Sequence, residues 1–148
     1  MPVGGISTLC AWQQSRWVVQ VSDRREEGGQ SVLIVEDEPL IAWALADMTR
    51  ELGHRVLGPV ATERAAVEET VRLSPDVVLM DFRLAGGGSG LAAARRIRET
   101  HDVPIVFCTA YAEEPGLRAE MLGVPRAVVL GKPIFRASLQ RALVQLLK

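Results

Sequence analysis

The chain has 148 residues, 48% of them hydrophobic and 24% charged, with a formal net charge of -1. That length suits one domain with its own core and is too short for two ordinary ones. The near-neutral balance gives no general attraction to nucleic acid, and no apolar run is long enough to span a bilayer. The N-terminus lacks the basic start, apolar core and cleavage site of a secretory signal, so a cytoplasmic protein is expected, with no membrane insertion. Cys10 and Cys108 lie far apart and outside any metal-ligand spacing. Cys108 falls in an expected strand, where cysteine acts as a small hydrophobe.

Residues 1–30 carry little period and end in Asp23-Arg24-Arg25-Glu26-Glu27-Gly28-Gly29, which reads as a linker. They are expected to be a flexible N-terminal extension, although Trp12, Trp17, Val18 and Val19 could pack against a partner or the domain. From Ser31 onward the pattern is regular. A strand at about 32–35 leads to a helix at about 39–52, with Pro39 suited to its first turn and Gly53 to its end. Residues 54–61 read as a second strand, broken late by Gly58-Pro59. Thr62 is the expected N-cap of a helix that runs to Leu73 and stops before Ser74-Pro75.

The third strand is expected at 77–80, followed by a glycine-rich loop from Ala85 to Gly90. That loop lacks the lysine and spacing of a nucleotide-binding phosphate loop, and reads as a flexible connection in which Ser89 caps the next helix. Leu91, Ala94 and Ile97 give that helix its period over about 91–100. A strand at 104–108, a short helix near 113–122, a strand at 127–130 and a helix at about 135–147 complete the chain. The alternation is (βα)5, an α/β domain of three layers with a central parallel sheet.

Each of four apolar runs ends in a residue with chemistry to offer. Val32-Leu33-Ile34-Val35 ends in Glu36-Asp37-Glu38, and Val77-Val78-Leu79-Met80 in Asp81. Pro104-Ile105-Val106-Phe107-Cys108 ends in Thr109, and Ala127-Val128-Val129-Leu130-Gly131 in Lys132-Pro133. In a parallel sheet these residues gather on the rim where ligands bind. Asp37 and Asp81 are candidate direct ligands of Mg²⁺, with the Arg83 carbonyl a third and Glu36 acting through water. A carboxylate can attack phosphorus and form an acyl phosphate. Lys132 would supply a compact positive charge and Thr109 a hydroxyl for phosphoryl oxygens, while small Ala110 would leave room for the group to enter. Taken singly, each residue has a plainer explanation as a helix-end acid, a turn former or a solvated charge. Four in order, each directly after a strand, point to a phosphoryl site.

The segments VLIVEDEP, VVLMDFRLAGGGSG, PIVFCTAY and VVLGKP resemble a bacterial response-regulator receiver domain over residues 31–148. The resemblance implies a flavodoxin-like sheet of order 2-1-3-4-5. It also implies that Asp81 accepts phosphate from a histidine kinase or histidine phosphotransferase. Mg²⁺ would be held by Asp37, Asp81 and the Arg83 carbonyl, with Glu36 in the outer shell. Thr109 and Lys132 match the family's hydroxyl and lysine, and a cis Lys132-Pro133 bond is expected. Two departures stand out. Val129 occupies the position where most receivers carry an aromatic switch, and Leu84-Ala85-Gly86 replaces the usual Met-Pro-Gly loop. Both, with PIVFCTAY, are similar to the subgroup named for its PFxFATGY motif (FAT GUY), with Cys108 and Ala110 in place of Ala and Gly. Tyr111 is then the aromatic expected to report phosphorylation, and Arg83 and Tyr111 flank the phosphoryl group.

The expected function is that of a stand-alone regulator in a two-component phosphorelay, a phosphoprotein that signals by binding a downstream protein. It is a regulatory phosphoacceptor and not an enzyme acting on a separate substrate. The rival is a pseudo-receiver, an adaptor module acting without phosphorylation. An aspartyl phosphatase of the haloacid-dehalogenase type would need a second acid where this chain has Arg83. The stripe Leu139, Leu143, Leu146 on the last helix is explained as core packing.

Overall fold

In the computed structural model the described residues are 29–147; the expectations for Cys10, Trp12, Trp17, Val18 and Val19 lie outside them. Five strands, β1 (Ser31–Val35), β2 (Arg55–Val60), β3 (Val77–Asp81), β4 (Ile105–Thr109) and β5 (Ala127–Gly131), alternate with five helices. These are α1 (Pro39–Glu51), α2 (Glu63–Leu73), α3 (Gly90–Arg98), α4 (Pro115–Leu122) and α5 (Arg136–Leu146). All strand pairings are parallel and the order is β2-β1-β3-β4-β5, as expected. Among the described residues no helix is long and apolar enough to cross a membrane.

β1, β3 and β4 are buried along their whole length, which explains their unbroken apolar runs. Successive side chains point to opposite faces and so split into two cores. Val32, Ile34, Leu79, Val106 and Cys108 pack with Leu45 of α1 and Leu139 and Leu143 of α5. Leu33, Val35, Met80 and Phe107 pack with Ala66 of α2, Leu91 and Ile97 of α3 and Met121 of α4. Each fully buried side chain of this size contributes roughly 1.5–3 kcal/mol relative to exposure. The Leu139–Leu143 stripe is core, as expected, with Leu146 half-buried beside it.

The helix ends follow local chemistry. Pro39 opens α1, and Gly53, at φ +89, closes it. The Gly53 N–H donates to the Arg50 carbonyl and the His54 N–H to that of Thr49, a paired termination that the glycine's left-handed backbone permits. Thr62 Oγ1 accepts from the Ala65 N–H at 3.0 Å, and Ser89 Oγ from the Leu91 and Ala92 N–H groups at 3.1 and 3.3 Å. At the N-terminal ends of β1 and β3, the Asp76 carboxylate accepts from the Ser31 N–H at 2.8 Å and its hydroxyl at 3.0 Å. The Asp76 N–H in turn donates to the Ser31 carbonyl at 2.9 Å.

Two local expectations change. Gly58-Pro59 does not break β2 but sits inside it as a bulge against β1. The glycine-rich segment folds into a tight turn over Ala85–Gly87, with Gly86 and Gly87 at φ +75 and +77. Positive φ at both lets the chain double back, so that Leu84 N–H reaches the Gly88 carbonyl at 3.0 Å. The Lys132-Pro133 bond is cis, as expected, and so is Gly58-Pro59.

Candidate functional site

Four strands deliver the chemistry to one rim. Glu36 and Asp37 follow β1 directly, Asp81 and Thr109 are the last residues of β3 and β4, and Lys132 follows β5. One carboxylate oxygen from each of Glu36, Asp37 and Asp81 can be chosen so that all lie within 4.8 Å of one another. Glu36 and Asp81 are buried and Asp37 is exposed. Lys132 Nζ donates to Glu36 Oε2 at 2.9 Å and to Asp81 Oδ1 at 3.1 Å, bridging residues 96 and 51 positions away. Glu36 Oε1 also accepts from the Glu38 N–H at 3.2 Å. The three acids with Lys132 therefore form one cluster. Its hard oxygen donors, partly open to solvent through Asp37, suit a small divalent cation.

Thr109 is 1% exposed, and its Oγ1 accepts from the Tyr111 N–H at 2.9 Å, a turn that aims the chain after β4. Its carbonyl accepts from the Lys132 N–H at 2.8 Å, tying the ends of β4 and β5 together. Ala110 is exposed and Tyr111 half-buried. The Arg83 guanidinium lies 4.8 Å from the centre of the Tyr111 ring, and Phe82 meets that ring edge-on at 6.0 Å. Arg83 and Tyr111, expected from sequence to flank the site separately, are in contact with each other.

Sequence reasoning missed Phe82, and also Gly90. A Cβ on Gly90 would fall on the Asp81 carbonyl, while the Gly90 N–H donates to the Phe82 carbonyl at 2.7 Å. Glycine thus lets α3 begin directly against the end of β3. The available signal was glycine in the first turn of an otherwise good helix, a position that propensity disfavours.

Burial raises the Glu36 carboxyl to about 7, and the Asp81 charge adds to this; the Lys132 hydrogen bond and the Glu38 N–H pull it back. Burial alone would lower Lys132, but its bonds and charge contacts with Glu36 and Asp81 outweigh that and hold it above its ordinary value. Cys108, fully buried beside the site, is pushed up to about 12 by burial and stays a thiol.

The Glu36 shift makes stability depend on pH. In the unfolded chain Glu36 ionises near its ordinary 4.5, whereas in the folded protein it keeps its proton to about 7. Between those values the unfolded state binds fewer protons, so stability falls as pH rises. Without added divalent cation, urea unfolding is expected to show a loss on the order of 2–3 kcal/mol between pH 4.5 and 7.5 from this group. A Glu36→Gln variant should lose that slope; an unchanged slope would show that the proton belongs elsewhere.

Over residues 32–144 the chain matches the family model described as the response regulator receiver domain. The phyllosphere-induced regulator PhyR of Methylorubrum extorquens is 36% identical over 143 residues, which cover 88% of this chain and 51% of that protein. The solution NMR structure of the Erythrobacter litoralis PhyR response regulator REC domain is similar at TM-score 0.70 and 38% identity, covering 82% of this chain and 92% of that one. The crystal structure of the receiver domain of sensor histidine kinase PA1611 from Pseudomonas aeruginosa PAO1, with a magnesium ion coordinated in its active-site cleft, is similar at TM-score 0.71 and 38% identity. It covers 81% of this chain and 98% of that one. The chain spans about half the length of the curated relatives it matches. Because the family match runs from the first strand into the last helix and takes in all the strand ends that build this rim, the chain belongs to the response regulator receiver domains of two-component signalling.

Proposed function

We propose that this receiver takes a phosphoryl group onto Asp81 from a phosphohistidine on a histidine kinase or histidine phosphotransferase. The observation that carries the reading is the bridge from Lys132 to both Glu36 and Asp81, which brings the ends of β1, β3 and β5 to one point. Asp37, Asp81 and the Arg83 carbonyl would hold Mg²⁺, with Glu36 in the outer shell. Bound there, the cation would neutralise charge on the acids and on the phosphoryl oxygens. A carboxylate oxygen of Asp81 forms a bond to phosphorus as the bond from phosphorus to the donor imidazole nitrogen breaks, and the electron pair leaves with that nitrogen. Lys132 then moves its hydrogen bonds from carboxylate to phosphoryl oxygen, and Thr109 offers its hydroxyl to another. Exposed Ala110 puts no bulk in the path of the entering group. The phosphorylated domain signals through contact with a downstream protein, and the cytoplasm is where such donors meet it.

Incubation with acetyl phosphate and Mg²⁺, followed by intact-mass measurement, tests this. A single phosphoryl adduct that requires the cation is expected. No adduct from either acetyl phosphate or a phosphorylated kinase would return the chain to the adaptor reading.

The Arg83–Tyr111 contact gives a further expected result. The pair stands on the segments that follow β3 and β4, the strands that end in Asp81 and Thr109, and in this reading it sets how readily water reaches the acyl phosphate. Replacing both residues with alanine should shorten the phosphoryl lifetime about two- to fivefold, the kinetic equivalent of the 0.5–1 kcal/mol such a contact gives at an exposed site. An identical lifetime in the double variant would remove this role.

A further inference from the structure

β2 meets the rest of the sheet through an irregularity that stands beside the acids and contains none of them. Leu33 pairs with Leu57 and Val35 with Val60, so Gly58 and Pro59 together face the single residue Ile34. Gly58 has φ +84, and a Cβ there would lie 2.9 Å from the Ile34 carbonyl oxygen and 3.1 Å from the Val60 nitrogen. Both conditions require glycine. Proline, with no N–H to donate, occupies the second place, where an edge-strand bulge tolerates it.

The consequence appears at the next two residues. The Val60 carbonyl accepts from the Glu36 N–H at 2.9 Å, and the Ala61 carbonyl accepts from the Ala85 N–H at 3.0 Å. Glu36 opens the acidic segment after β1, and Ala85 ends the segment that leaves Asp81 through Phe82, Arg83 and Leu84. Two consecutive carbonyls on one stretch of chain therefore hold both acid-bearing loops. Planar peptides of fixed length make that spacing stiff. Gly88 adds to the contact, since a Cβ on it would lie 3.1 Å from Glu63 Cβ at the start of α2.

We infer that the Gly58–Pro59 bulge is a positioning element for the cation site: by presenting the Val60 and Ala61 carbonyls to the two loops, it sets the separation between Glu36–Asp37 and Asp81–Arg83. The inference rests on the reading of these acids as a Mg²⁺ site. Without the extra residue, Val60 and Ala61 would be shifted along β2, and their carbonyls could not meet both N–H groups in the same register.

The test is Mg²⁺ affinity by calorimetry, set beside thermal unfolding without the cation, for the wild type, Gly58→Ala and Leu143→Ala. Leu143 is buried on α5 in the core that α1 and α5 cover, and serves as a destabilised control that belongs to neither the bulge nor the acidic cluster. Gly58→Ala should weaken Mg²⁺ binding roughly tenfold or more, the range seen when outer contacts that orient metal ligands are lost. Leu143→Ala should leave the affinity unchanged despite a lower unfolding temperature. Equal affinity in Gly58→Ala and wild type, or equal weakening in both variants, would overturn the role of the bulge. A wild type that takes up no Mg²⁺ would overturn the cation-site reading itself. Should Gly58→Ala not fold, amide NMR of the wild type decides. Gly58, Val60 and Ala61 are expected to shift in the same Mg²⁺ titration as Glu36 and Ala85, and unmoved signals at all three would refute the coupling.

Discussion

Asp81→Asn should abolish phosphoryl uptake while leaving the domain folded. The amide is close in shape to the carboxylate but offers no anionic oxygen to attack phosphorus. It can still accept from Lys132, whose other bond, to Glu36, does not involve residue 81. Removing the Asp81 charge also removes one cause of the raised Glu36 value, so the remaining cluster is less strained electrostatically. Intact-mass measurement of wild type and variant, each incubated with acetyl phosphate and Mg²⁺, separates the outcomes. An adduct that persists in the variant would place the phosphoryl group on another residue. A variant that lost its circular dichroism would show instead that Asp81 holds the fold together.

Lys132→Ala has the second largest expected effect, and it acts on stability and signalling separately. Glu36, with a side chain 1% exposed, loses its ammonium partner, and the carboxyl stays buried beside Asp81. Breaking a buried pair from one side typically costs ~3–5 kcal/mol, and protonation of Glu36 should reduce that to about 2–3 kcal/mol at neutral pH. Mg²⁺ binding should survive, because an ammonium cannot be a ligand and would compete with the cation for the same oxygens. Phosphorylation, however, loses the group that would pull on β5 when a phosphoryl oxygen arrives. Amide NMR should therefore show the response at β5 collapse in the variant, while the metal-induced shifts near Asp37 persist. Full phosphorylation-induced shifts at β5 without Lys132 would refute its coupling role.

Much of this molecule is legible in its residues, for identifiable reasons. β1, β3 and β4 are readable because burial on both faces leaves no room for a polar residue until the strand ends. That same abruptness marks Glu36, Asp81 and Thr109, and Lys132 follows the pattern at half-buried β5. Ser89 and Thr62 are readable as caps because capping is local. What escapes depends on contacts across the sheet. Nothing near Gly58-Pro59 in sequence distinguishes a strand's end from a bulge; the difference is the register against Ile34. The glycine-rich loop reads as flexible because the Ala61 carbonyl that anchors it lies on another connection. The Arg83–Tyr111 contact joins residues from the connections after two different strands, and each alone shows only a side chain near the site.

The reciprocal bonds between Ser31 and Asp76 lie at the opposite end of β1 and β3 from the acids. They make the sheet a cantilever, clamped at its base and loaded at its tip. Sliding the neighbouring strands β1 and β3 past one another would break those bonds, so a displacement at the loaded end would meet resistance along that direction. It would then be turned sideways, into the loops and helices at the rim. If phosphorylation pushes on one carboxylate, as proposed, the push would emerge as a change of surface relief open to a second protein.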